Sequence, residues 1–142
     1  MTKRLSHVSA EGKAEMVDVA DKAVTYRVAT ARAIISMAPE TSQAIREASL
    51  KKGDVLTTAR LAGIMAAKRT DELIPLCHAL PLNHVQVELT TRHCEVEIIA
   101  TASTHGKTGV EMEALTAASI AALTVYDMAK AVDREMTITE VK

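Results

Sequence analysis

The run from Val110 to Val132 holds Ala114, Ala117, Ala118, Ala121, Ala122, Ala129 and Ala131, with Leu115, Ile120, Leu123, Val125 and Met128 between them. Alanine is the strongest helix former, and no glycine or proline interrupts the run, so a long helix is predicted here. Its apolar residues are not confined to one stripe. A helix of that kind is buried on most sides, and it leaves little space between itself and its neighbours. The rest of the chain obeys the same constraint, because Tyr26 and Tyr126 are its only aromatic residues among 142. The core must be built from Leu, Ile, Val, Met and Ala, so close backbone approach has to replace large rings.

Around that helix the patterning alternates. Val24–Met37 reads as a strand. A helix follows from Pro39 to about Ser49, with proline in its first turn. Lys51-Lys52-Gly53 ends it, and Asp54 is the expected N-cap of a second helix through Arg69, with Val55, Leu56, Ala59, Leu61, Ala62, Met65 and Ala66 on its buried side. Val85–Leu89 and Cys94–Ile99 alternate as two strands joined by a hairpin. His105-Gly106-Lys107-Thr108-Gly109 breaks the pattern ahead of the long helix, and Met136–Val141 closes the chain as a strand. The order is strand, helices, strand, strand, helix, strand. It predicts an α+β fold, a ferredoxin-like split βαβ sandwich with a mainly antiparallel sheet and helices on one face. Residues 1–15 are polar without useful periodicity and are expected to be a mobile N-terminal segment; residues 16–142 form one domain.

The composition excludes several functions. A net charge of −1 gives no general attraction to nucleic acid, and two tyrosines make no stacking platform for bases. Lys3 and Arg4 are followed by no apolar stretch of a signal peptide, and the long alanine-rich tract is interrupted by Thr, Ser, Asp and Lys. A soluble, cytoplasmic protein is expected. Cys77 and Cys94, with scattered histidines, match no zinc spacing, so no metal is assigned and Cys77 reads as a small buried hydrophobe. The turn at 105–109 resembles half of a P-loop. Position 101 is Thr where the upstream glycine belongs, which rejects that motif.

What remains is a set of polar groups in apolar surroundings. On the long helix Glu113, Thr116, Ile120, Leu123, Asp127 and Lys130 share one face roughly 100° wide. Asp127 and Lys130 are spaced as a surface ion pair, but a helix apolar nearly all round would bury them, and buried charges need partners. Glu113 and Asp127 are 14 residues apart, about 21 Å along the axis. One small ligand cannot reach both from one subunit. Either one end alone is functional, or the helix is shared at a subunit interface and each site takes opposite ends from two copies; the second is expected.

Lys107 beside a helix N-terminus is placed to meet phosphate. Glu111 and Glu113 either balance the helix dipole or accept hydrogens from a guanine-like ring. The loop Leu73-Ile-Pro-Leu-Cys-His-Ala-Leu-Pro81 is barred from helix and central strand by its prolines, and its His78 is either a satisfied core histidine or a ligand contact. Lys52, Lys68, Arg69 and Arg27 are the other cations available to polyphosphate.

Lys52-Gly-Asp-Val, Thr58-Ala-Arg-Leu-Ala-Gly-Ile, Ala67-Lys-Arg-Thr, Leu73-Ile-Pro-Leu-Cys-His, Lys107-Thr-Gly-Val-Glu-Met-Glu-Ala-Leu-Thr-Ala and Tyr126-Asp-Met-Ala-Lys-Ala-Val occur in this order. Together they resemble the MoaC family, cyclic pyranopterin monophosphate synthases of molybdenum cofactor biosynthesis, from about Leu5 to Ile138. The resemblance implies a lyase that converts 3′,8-cyclo-7,8-dihydro-GTP, made upstream by a radical enzyme, into cyclic pyranopterin monophosphate with release of pyrophosphate. It implies a homohexamer, a trimer of dimers with sites at dimer interfaces, and no metal or organic cofactor. By motif, Asp127, Lys52 and Lys130 match the catalytic residues, and Leu76-Cys77-His78 and Met112-Glu113 match substrate-binding segments. His78, Lys107, Lys68 and Arg27 are then expected on phosphates, and Glu113 on the base edge. Ala79 stands where the family often has proline. Members also usually carry a glycine- and lysine-rich tail beyond the position of Lys142; if that tail closes over the triphosphate, a chain without it binds substrate more weakly. The competing reading is an oligomeric nucleotide-binding or scaffold protein without turnover, against which both lysines and Asp127 argue.

Overall fold

The computed structural model describes residues 5–142. Its elements are β1 (Thr25–Ser36), α1 (Pro39–Arg46), α2 (Val55–Lys68), the short α3 (Thr70–Leu73), β2 (Leu82–Thr91), β3 (Glu95–Gly106), α4 (Glu111–Ala129) and β4 (Thr137–Val141). The four strands form one sheet in the order β2-β3-β1-β4, and every neighbouring pair is antiparallel. This is the expected α+β split βαβ arrangement, with α2 and α4 packed together and against the sheet. Of the segment 1–15, residues 1–4 lie outside the described residues. Within the remainder, Val8 bridges Ala14 around a turn.

Side-chain size sets the spacing of the layers. Ala31, Ala33 and Ile35 of β1 and Val96, Ile98, Ala100 and Ala102 of β3 are buried in one core with Ala114, Ala117, Ala118, Ala121, Ala122 and Val125 of α4. Small residues on both faces let the helix lie close to the strands, and the core needs no aromatic ring. α2 approaches as closely: a Cβ built on Gly63 would sit 2.9 Å from the carbonyl oxygen of Ala117 and 3.2 Å from Val87. The buried side of α2 is Val55, Ala59, Gly63, Ala66 and Ala67. Leu61 and Met65, expected inside, are exposed. The periodicity located the helix but placed its stripe too far round, because Gly63, the point of closest approach, carries no hydrophobic signal.

Two element ends and the burial of one loop also differ from expectation. β3 runs through His105 to Gly106, since as a central strand it is paired on both sides there, with Tyr26 and Thr25 of β1 and, two residues earlier, Leu82 of β2. Ladder hydrogen bonds outweigh the local tendency of glycine to break. α1 stops at Arg46, and Ala48 takes a positive φ of 51° in the turn that follows. The proline-bracketed loop is not wholly buried: Leu73 is exposed, and Leu76, Cys77 and His78 are intermediate. Asp54 caps α2 as expected, accepting from the Thr57 N–H at 3.0 Å. Gly53, with φ of +94°, turns the chain into that cap, a conformation costly for any other residue.

The contact at Gly63 gives a direct test. Gly63→Ala would gain about 1 kcal/mol of helix propensity on an exposed helix. Here the new methyl meets backbone that cannot move cheaply, and overpacking costs about 1–3 kcal/mol. A net loss of stability is expected, seen as a lower urea midpoint at unchanged slope.

Candidate active site

The polar residues gather in two clusters, one at each end of α4. At the C-terminal end the Asp127 carboxylate is held between two ammonium groups. Lys52 Nζ donates to Oδ2 at 3.0 Å and to the main-chain oxygen of Asp127 at 3.0 Å; Lys130 Nζ lies 2.9 Å from Oδ1. Lys52 arrives from the turn between α1 and α2, 75 residues away in sequence. Lys130 follows from helical spacing as the C-cap residue of α4. The cluster is about half exposed in its own chain, not buried as the all-apolar helix suggested. The reason is local: Leu123 and Asp127 lie on the side of α4 turned away from both sheet and α2. Lys130 and then Lys52 hold the Asp127 carboxyl below the usual carboxylate range. It is therefore a fixed anion at neutral pH, and two cations stand within reach of whatever approaches it.

At the N-terminal end a cleft of about 160 Å³ is lined by Leu76, Cys77, His78, Glu111, Met112 and Glu113, together with His7, Leu80, Thr108 and Gly109. All six substrate-binding residues expected in the two segments 76–78 and 111–113 are thus brought together, by a loop that the prolines keep out of regular structure and by the first turn of α4. A more apolar hollow lined by Ile74, Pro75 and Ala14 adjoins it, sharing His7, Leu76, Cys77 and Met112. Glu113 is buried, 4% exposed. Burial pushes its carboxyl above the usual range, and the neighbouring Glu111 and Asp71 charges add to the shift. Burial likewise raises the Cys77 thiol, which makes it a poor nucleophile and ligand. Among the described residues no group of three or more His, Cys, Asp or Glu side chains is arranged to hold a metal ion. No helix among them is long and apolar enough to cross a membrane.

The cations expected on phosphate are dispersed. His78 Nε2 is 2.6 Å from the Val17 carbonyl oxygen, and Lys107 Nζ donates to the Ala20 carbonyl at 2.9 Å. The segment before β1 is therefore tied to His78 of the cleft and to Lys107 beside it, contacts its sequence did not signal. Arg27, on β1, donates to the Gly106 carbonyl at 3.4 Å. Lys68, the last residue of α2, lines a separate groove with Asn83 and His84. None of Arg27, Lys68 and Lys107 lines the cleft of its own chain, although Lys107 directly precedes Thr108, which does. His7, Leu80, Thr108 and Gly109 were not expected there. Thr108 and Gly109 belong to the turn that the sequence marked as a break, while His7 carried no signal at all.

A fixed carboxylate between two lysines, and a cleft edged by a buried acid and a histidine, are groups of the kind that acid–base enzymes use. The family comparison makes the class specific. A model of the MoaC family matches residues 16–142, and this chain belongs to that family. It is similar to proteins named cyclic pyranopterin monophosphate synthase from Thermomicrobium roseum and Chloroflexus aurantiacus, each 59% identical over 97% of this chain and over 84% and 86% of theirs. The protein of that name from Dinoroseobacter shibae is 58% identical over 97% of this chain and 89% of its own.

The buried acid has a measurable signature. A carboxyl whose value is raised in the folded state contributes stability below its ordinary value, and that contribution is lost as pH rises through the raised one. Glu113→Gln removes this loss, so its thermal midpoint should exceed that of the unaltered protein by a few degrees at about pH 7 and match it at about pH 4. Equal midpoints at both values would show that the surroundings do not raise the Glu113 carboxyl.

Proposed function

We propose that this chain is a cyclic pyranopterin monophosphate synthase, a lyase of molybdenum cofactor biosynthesis that converts 3′,8-cyclo-7,8-dihydro-GTP into cyclic pyranopterin monophosphate and releases pyrophosphate. The observation that carries this reading is the convergence of Lys52 and Lys130 on Asp127, in a chain 59% identical to proteins of that name. Rearranging a purine and its bridged sugar needs repeated proton transfers at nitrogen and oxygen, and expelling pyrophosphate needs cations where negative charge builds. Lys52 and Lys130 take the acid–base steps, and Asp127 orients them. Glu113, with Glu111 beside it, meets the base edge; Leu76, Cys77 and Met112 shape the wall around the ring. His78 and Lys107 exchange main-chain carbonyls for phosphate oxygens. Lys68 and Arg27, outside the cleft of their own chain, are kept as phosphate contacts of the assembled site. The scheme uses no metal or organic cofactor.

The site is composite. The cleft, at about 160 Å³, and the hollow beside it, at about 530 Å³, have no lysine or arginine in their lining. The lysine cluster is about 21 Å away along α4. Leu61, Met65, Leu73 and Leu123 leave apolar surface exposed on α2, α3 and α4, with a groove between Met65, Leu73 and Ile120. Covering that surface with a second copy brings the N-terminal end of one α4 toward the C-terminal end of the other. A two-fold pair then holds two such sites, and three pairs make the hexamer. The protein acts in the cytoplasm, on a substrate supplied by a radical enzyme.

Incubation with the cyclised GTP derivative should release pyrophosphate together with the cyclic monophosphate, and Lys52→Ala or Lys130→Ala should abolish both while leaving the oligomer intact. Binding without turnover by the unaltered protein would favour the scaffold reading instead. Coexpressing Lys52→Ala with Glu113→Ala, each inactive alone, should restore roughly a quarter of the activity if each site draws on two copies. Sites complete within one chain would show no restoration.

A further inference from the structure

α1 begins without a cap of its own. Its N-cap residue, Ala38, has no side-chain acceptor, and Pro39 follows it. The group that holds its start comes instead from the far end of the chain. Asp133 Oδ2 accepts the Ala38 N–H at 3.0 Å and the Thr41 hydroxyl at 2.9 Å, across 95 and 92 residues. Its Oδ1 accepts the Glu135 N–H at 3.0 Å, and its own N–H donates to the carbonyl of Ala129, the last residue of α4, at 3.2 Å. One carboxylate thus ties the start of α1 to the end of α4. A second tie runs beside it, from the Tyr126 hydroxyl to the Arg134 carbonyl at 3.2 Å.

These two elements are the ones that deliver the lysine cluster. Asp127 and Lys130 stand at the end of α4, and Lys52 stands in the turn into which α1 leads. A serine or aspartate at position 38 would stabilise the start of α1 from within by accepting a first-turn N–H, a bond that Asp133 does not make. An acceptor 95 residues away does something a local one cannot: it fixes α1, and with it the Lys52 turn, against the helix end that carries Asp127.

We infer that Asp133 is a positioning residue for the reaction, holding the Lys52 turn in register with Asp127 and Lys130 without touching substrate; this rests on the synthase reading above. Loosening the tie lets the ammonium group drift from the carboxylate, whereas the substrate cleft, at the other end of α4, keeps its lining.

The test uses the full-length assembled protein and the cyclised GTP derivative. Asp133→Ala should lower kcat about 10- to 100-fold while KM changes less than about threefold, the pattern of misplaced catalytic groups with binding intact. Ala38→Ser in the Asp133→Ala background supplies α1 with a local cap. It should recover the thermal midpoint but not kcat, and it carries the test if Asp133→Ala alone does not fold. Recovery of turnover along with the midpoint would reduce Asp133 to an ordinary helix cap and overturn the inference. So would unchanged kcat in Asp133→Ala, or a loss confined to KM. Absence of product from the unaltered protein sinks the synthase reading and takes this inference with it, an outcome distinct from full turnover in both unaltered and variant proteins.

Discussion

The structure depends on how closely α4 can lie against its neighbours. Alanines on three of its sides meet alanines of β1 and β3 and the bare backbone of Gly63 in α2. A helix seated at that distance is rigid along its length, and its two ends are therefore fixed points. One end carries a buried acid in a small cleft, the other an anion between two cations. Their separation is a property of helix geometry and cannot be closed by side-chain motion. The apolar strip exposed along α2, α3 and α4 supplies the physical reason for a second copy, and the proposed composite site follows from these facts together.

The electrostatics of the two ends differ in kind. Asp127 is stabilised as an anion by direct ion pairs near solvent, where such pairs add little to stability. Their value is positional: a single carboxylate sets two long, flexible lysines at a defined separation. Glu113 is in the opposite condition: burial, with the Glu111 and Asp71 charges nearby, shifts its carboxyl toward the neutral form. An acid kept neutral can donate to a ring nitrogen or oxygen as well as accept, which an ionised one cannot. Two carboxylic acids of one helix are thus shifted in opposite directions because of their depth and neighbours.

Asp133 belongs to a third group, residues that touch neither cleft nor cluster but connect the elements that do. It closes a circuit from the end of α4 to the start of α1 and, through the Lys52 turn, back to α4. The proximal loop is also closed by Asp54, which caps α2 just beyond Gly53. The Lys52 turn is therefore held by carboxylates acting on the helices on both of its sides.

From the sequence by itself came the order of elements, the mainly antiparallel split βαβ plan, the long alanine helix, the Asp54 cap, and the separation of Glu113 from Asp127. These are encoded locally, in periodicities, capping residues and a fixed rise per residue. The motifs of residues 76–78 and 111–113 were legible as segments, and the structure brings them into one cleft. Tertiary structure alone decided which side of α2 is buried, that β3 continues through Gly106, that the Lys52–Asp127–Lys130 cluster is half exposed, that the Val17 and Ala20 carbonyls meet His78 and Lys107, and that Asp133 ties down the start of a helix 95 residues before it. Each depends on contacts between residues distant in sequence, and neither a glycine at a close approach nor a carboxylate that caps a remote helix leaves any periodic trace in its own segment.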